Sequence, residues 1–245
     1  MVISISILIA ELIFLYILSR RLSQNLFISI FLLTKSRPIA ISFLSLLFFP
    51  GTIIHELAHL FTAEILGVRT SGLTLVPENI EEKNVRTGSV SIAQSDPVRR
   101  ALIGIAPVFV GLGTLGVLSY FLPGVWGQVQ LDMTNGILFT SYSIYVLMLI
   151  VYALFAVSNT MFSSPEDMDG FWPVIGVITL LSAATYIAGI RINLTDQTML
   201  NLTSFFRSAA INMGYIGGLN VLLFLISKGL IRIAETLTKR KLVTK

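Results

Sequence analysis

Only two histidines occur in the 245 residues, and they stand four apart in His55-Glu56-Leu57-Ala58-His59. On a helix, residues at i and i+4 share one face about a turn apart. Two imidazoles spaced this way can converge on one metal ion. Glu56 is turned roughly 100° from His55 and reaches a water on that metal rather than the metal itself. H-E-x-x-H on a helix is the pattern of a zinc site with its own general base. Zinc lowers the pKa of bound water to about 7, and a neighbouring carboxylate can take the proton as the water attacks. The ordinary alternative is a pair of core histidines satisfied by hydrogen bonds. It accounts poorly for two histidines with a glutamate between them in so apolar a segment, where ionisable groups are expensive.

A zinc site of this kind needs a third protein ligand and leaves one position for water. The chain has no further histidine and no cysteine, so the third ligand should be a carboxylate. Glu64 lies on the same helix, half a turn round from His55, and cannot close the site. Glu11 stands alone in the first apolar run. The densest acidic group is Glu166, Asp167 and Asp169, in a polar stretch that follows a later apolar run.

The elements that must position these groups are apolar and long. Hydrophobic residues make up 54% of the chain and charged residues 12%, with a mean hydropathy of +0.84. A soluble domain carries about 25% charged residues, so a soluble enzyme is excluded. Spans are sought as runs of roughly 17–25 apolar residues. The runs fall at about Val2–Leu18, Ile39–Leu66, Ala101–Leu122, Ile137–Val157, Phe171–Ile190 and Tyr215–Ile231. Leu22–Leu33, after Arg20 and Arg21, is short and reads as interfacial or re-entrant. Pro50-Gly51 should kink or break the second span. The glycines of the third span, Gly104, Gly111, Gly113 and Gly116, read as close helix packing. Residues 67–96 alternate apolar and polar around Leu73, Leu75, Val90 and Ile92, with a charged stretch Pro77–Asn84 between, and predict two short strands at the membrane surface.

The expected fold is therefore an all-α polytopic membrane protein with about six transmembrane helices and a small β-hairpin after the second. Residues 1–245 form one domain, and the N-terminal run is a retained span. The formal charge of +4 comes from basic residues between apolar runs and in a tail at about 235–245. That placement points to lipid headgroups, not nucleic acid. Six crossings would put both termini on one side, together with Arg69, Lys83, Arg86, Arg99 and Arg100. The positive-inside rule makes that side cytoplasmic, with the histidine site nearer to it. Arg20, Arg21, Lys35 and Arg37 oppose this assignment.

With these motifs in hand, the chain resembles the site-2 protease family, the M50-type intramembrane zinc metalloproteases, over roughly Pro50 to Trp172. In that family the H-E-x-x-H helix is followed by a strand region and later by N-x-x-P-x-P-P-x-D-G. The corresponding stretch here runs from Asn159 to Gly170, with Phe162 and Ser164 at two of the proline positions. Counting from Asn159 or from Pro165 puts the family's aspartate ligand on Asp167; matching the Asp-Gly pair puts it on Asp169. The resemblance implies one zinc held by His55, His59 and Asp167, with Asp169 as the runner-up, Glu56 as catalytic base, and Asn159 near the metal holding substrate backbone. It implies a zinc endopeptidase of the cell membrane that cuts single-span membrane proteins within the bilayer. The strands could then hold unwound substrate by edge pairing. A catalytically silent helix-binding relative and a metal transporter are the other two classes. Intact Glu56 weighs against the first, and polar groups gathered at one depth weigh against the second.

Overall fold

Crossing a bilayer takes more than apolar side chains: each backbone N–H and C=O must find a partner inside the segment, which a helix provides. The apolar runs accordingly form helices in the computed structural model, which describes residues 2–74, 89–162, 167, 171–189 and 195–238. In order they are α1 (Val2–Thr34), α2 (Arg37–Ile65), β1 (Thr70–Thr74), β2 (Ser89–Ile92), α3 (Pro97–Thr134), α4 (Ser143–Thr160), α5 (Phe171–Ile187) and α6 (Asp196–Thr238). Five helices, α1, α2, α3, α4 and α6, are long and apolar enough to cross a membrane; α5 holds a shorter apolar stretch, Val174–Ile187. The chain is an all-helical polytopic membrane protein with one small sheet. β1 and β2 pair antiparallel, Thr70 opposite Ile92 and Thr74 opposite Ser89. The register shifts between Ser71 and Leu73, where Gly72 takes a φ of 72°, a left-handed value glycine adopts without strain. The charged stretch Pro77–Asn84 and Leu75 lie outside the described residues.

Several boundaries differ from expectation, and for one reason: polar residues end a hydropathy run without ending a helix. Leu22–Leu33 is neither interfacial nor re-entrant but continues α1. Arg20 and Arg21 are exposed on its surface, and the Arg20 guanidinium lies 4.7 Å over the Tyr16 ring. α3 runs past Pro123 to Thr134, where a loop was expected, with Gln128 Nε2 donating to Asp132 Oδ1 one turn on. α6 begins at Asp196, well before Tyr215.

Helix directions follow from named contacts. On α1 and α6, Asn25 meets Ser227 and Glu11 meets Gly214, so the two run parallel. His55 meets Thr160 and Leu47 meets Tyr152, so α2 and α4 run parallel. Ser143 meets Asp132 and Gly111 meets Met161, so α3 opposes α4. Two residues join α1 to α2, which therefore oppose each other. Thus α1, α3 and α6 point one way, α2 and α4 the other. A complete crossing by α5 would turn α6 against α1, so α5 adds no separate crossing. The start of α1 and the end of α6 then lie at opposite faces, not on one side. Arg69, Arg99 and Arg100 are separated from the end of α6 in the same way, and the basic tail beyond residue 238 lies outside the described residues, so the charge argument for a cytoplasmic site does not hold.

The apolar core lies where these helices meet and includes Leu15, Leu115, Leu154, Val157, Met161 and Ile216. It sits directly beside the histidines, with Ile54 packed against it.

Candidate metal centre

α2 is one unbroken helix through Pro50, where a kink or break was expected. Ser36 caps its start, its hydroxyl accepting from the Ile39 N–H. Proline at 50 cannot donate to the Leu46 carbonyl, and its ring crowds that turn. The Tyr152 hydroxyl of α4 reaches the loosened carbonyls, at 3.0 Å from Leu47 O and 3.5 Å from Leu46 O. Gly51 then lets α4 approach: a Cβ there would collide with the Thr160 hydroxyl and the Ala156 carbonyl.

That approach brings the Thr160 carbonyl to 2.8 Å from His55 Nδ1. On the other side of α2, the Ile103 carbonyl of α3 lies 2.9 Å from His59 Nδ1. Each Nδ1–H donates to a backbone oxygen, which fixes the tautomer and leaves both Nε2 atoms with lone pairs. These Nε2 atoms face each other at 3.2 Å. Two lone pairs at that distance repel unless a cation or proton stands between them.

Asp167 closes the group. Its Oδ1 lies 3.6 Å from His59 Nε2 and its Oδ2 3.9 Å from His55 Nε2. One ligand atom from each of His55, His59 and Asp167 lies within 4.8 Å of the other two. Zinc with bonds of roughly 2.0–2.1 Å in tetrahedral array holds neighbouring donors about 3.3 Å apart. The observed separations fit that array after a small inward movement of the aspartate. Two neutral imidazoles and one carboxylate form a three-ligand set that leaves a fourth position open.

Asp167 is held from behind by α3. A Cβ on Gly104 would run into the Asp167 backbone carbonyl, and one on Gly111 into the Met161 side chain. Gly113 and Gly116 meet nothing within 4 Å. The third-span glycines were expected to serve helix packing; Gly104 instead backs the candidate metal ligand. Asp167 remains 26% exposed, while Glu56 is 7% exposed. Glu56 stands on α2 between the two histidines without joining the ligand group, as the helical spacing predicts.

The remaining acidic candidates separate. Glu64 is exposed at the end of α2. Glu11 lines a different cleft, between α1 and α6, with Ser4, Ile7, Arg207 and Gly214. Glu166 and Asp169 lie outside the described residues. Asn159 donates from Nδ2 to the Phe155 carbonyl at 2.8 Å and to Asn220 Oδ1 at 2.6 Å, and its Oδ1 is buried without a donor. Its amide nitrogen is thus spent on α4 and α6. Sequence reasoning missed the carbonyls of Thr160 and Ile103, which carry no residue-type signal, and Asn220, which reads as one more polar residue in an apolar run.

Comparison with known proteins gives no match: no protein-family model, curated protein or solved structure is significantly similar to this chain.

Proposed function

We propose that the chain is an intramembrane zinc metalloprotease, resembling the site-2 proteases, that hydrolyses peptide bonds in or near the membrane-spanning segments of other membrane proteins. The observation that carries this reading is the meeting of His55, His59 and Asp167, from α2 and from beyond α4, beside the buried carboxylate of Glu56. Two imidazoles and a carboxylate suit zinc. Bound there, zinc would acidify water and polarise a carbonyl.

The chain's own residues supply the rest. Thr160 and Ile103 hold the imidazoles in the ligating tautomer. Glu56 takes a proton from the water whose oxygen bonds to the peptide carbonyl carbon, and delivers it to the nitrogen as the C–N bond breaks. Burial keeps bulk solvent from Glu56. A membrane helix must unwind before its peptide bond is accessible, and the edge of the β1–β2 pair offers backbone partners for an unwound segment.

The site lies nearer the face that carries the hairpin: by helical rise His55 is about 15 Å from the end of α2 and about 27 Å from its start. By resemblance the membrane is the cell membrane and this face cytoplasmic. Arg69, Arg99 and Arg100 lie at this face and Lys35 and Arg37 at the opposite one, so basic residues do not choose between the two orientations.

The test is co-expression with a panel of tagged single-span proteins, comparing wild type with Glu56→Gln. The variant keeps the metal and loses the base, so a product present only with wild type is expected. Zinc bound one per chain in both proteins, with no product from either, would remove the protease reading.

A further inference from the structure

Asn220 of α6 is 1% exposed. Its amide nitrogen donates to Ser158 Oγ at 2.9 Å and to the Ile216 carbonyl at 3.1 Å. Its oxygen accepts from Asn159 Nδ2 at 2.6 Å. Ser158 and Asn159 belong to the last turn of α4. The next residue, Thr160, gives its carbonyl to His55, and the chain then leads to Asp167. A polar side chain buried among membrane helices is costly unless paired, and here every donor of Asn220 and its oxygen are used on that one turn and its own helix.

We propose that Asn220 is a positioning residue for the metal centre. It pins the last turn of α4 to α6, which sets the Thr160 carbonyl that orients His55 and the start of the segment that carries Asp167. This rests on the metal-binding reading of the site and not on the protease reading. Besides the His55–Thr160 hydrogen bond that it serves, the other restraints on this turn are packing contacts. Gly51 sets its approach to α2, Gly111 its approach to α3, and Tyr16 meets Phe162 edge-on at 5.5 Å. Apolar packing between membrane helices has no hydrophobic driving force and permits axial sliding. The Asn220 hydrogen bonds are directional and fix the last turn of α4 against α6. Partners that hydrogen-bond a ligand directly change metal affinity by about 10–100-fold when lost; Asn220 acts one step further out, through Thr160, so the lower end of that range applies. A pair serving only as adhesive between helices would alter stability and leave the metal centre as it was.

The experiment uses the full chain purified in detergent and titrated with Co2+, whose visible ligand-field bands report donor set and geometry, with zinc as competitor. Asn220→Leu keeps the branched shape and removes the hydrogen bonds. It is expected to weaken affinity for both metals by up to about 10-fold and to shift the Co2+ bands. Wild-type bands and affinity in Asn220→Leu would overturn the proposal. Should Asn220→Leu fail to fold, Ser158→Ala removes one bond of the network. A smaller band shift is expected there, and an unchanged spectrum overturns the proposal equally. Wild type that binds no Co2+ would remove the metal reading itself, and the proposal with it, before any variant is compared.

Discussion

Gly104 has no side chain to lose, yet its substitution tests the metal centre as directly as a ligand does. A methyl group there meets the Asp167 carbonyl, so the ligand-bearing segment must move. Gly104→Ala is expected to lower zinc affinity by about 10–100-fold, the cost of disturbing a ligand's support. Gly113→Ala, on the same helix with open space around it, is expected to leave affinity unchanged; competition with a chromogenic chelator checks both. The ligands separate from the base in the same assay. His59→Ala and Asp167→Ala should lose stoichiometric zinc, whereas Glu56→Gln should retain it and lose cleavage by about 10²–10⁴-fold, the usual contribution of a general base. At this scale the histidines and Glu56 were legible because their spacing fixes their faces on any helix. Asp167 rested on a count from Asn159 and Pro165. Only the folded chain brings it to the histidines, since the intervening α3 and α4 decide where residue 167 lies.

α2 shows how an element can disobey its own sequence. Pro50 predicts a kink or a break, and the helix runs on unbroken, with Tyr152 of α4 covering the loosened carbonyls. Tyr152→Phe is therefore expected to destabilise the fold by roughly 0.6–1.5 kcal/mol, the range for one interhelical hydrogen bond. Pro50→Ala restores the missing N–H donor, so Tyr152→Phe should cost less in that background. Unfolding measured on the four proteins of this cycle checks the coupling; equal costs in both backgrounds would show that Tyr152 does not serve Pro50. The hairpin was readable at the same scale, since alternating residues declare a strand locally. The far ends of α1 and α3 and the start of α6 were not, because hydropathy reports where lipid could be and not where helical hydrogen bonding stops.

Across the whole molecule, helix direction overrides the count of apolar runs. With α1 parallel to α6, reporters fused before α1 and after α6 are expected on opposite sides of the membrane. A reporter between α5 and α6 should fall on the side of the α1 start. Both ends on one side would require α5 to cross and would contradict the contacts of Asn25 with Ser227 and Glu11 with Gly214. The same arrangement puts the site at the end of α4, beside Thr160.

Composition by itself determined that this is a membrane protein, because a chain with so few charges cannot cover a soluble surface. The His55-Glu56-Leu57-Ala58-His59 spacing by itself determined a face on which two imidazoles could share a metal, with a carboxylate beside it, because helical periodicity is local. Only the tertiary structure decided what completes that face. Asp167, the carbonyls of Thr160 and Ile103, the glycines that admit them and Asn220 come from four other parts of the chain. Their meeting depends on the direction and axial register of whole helices, which no local pattern encodes.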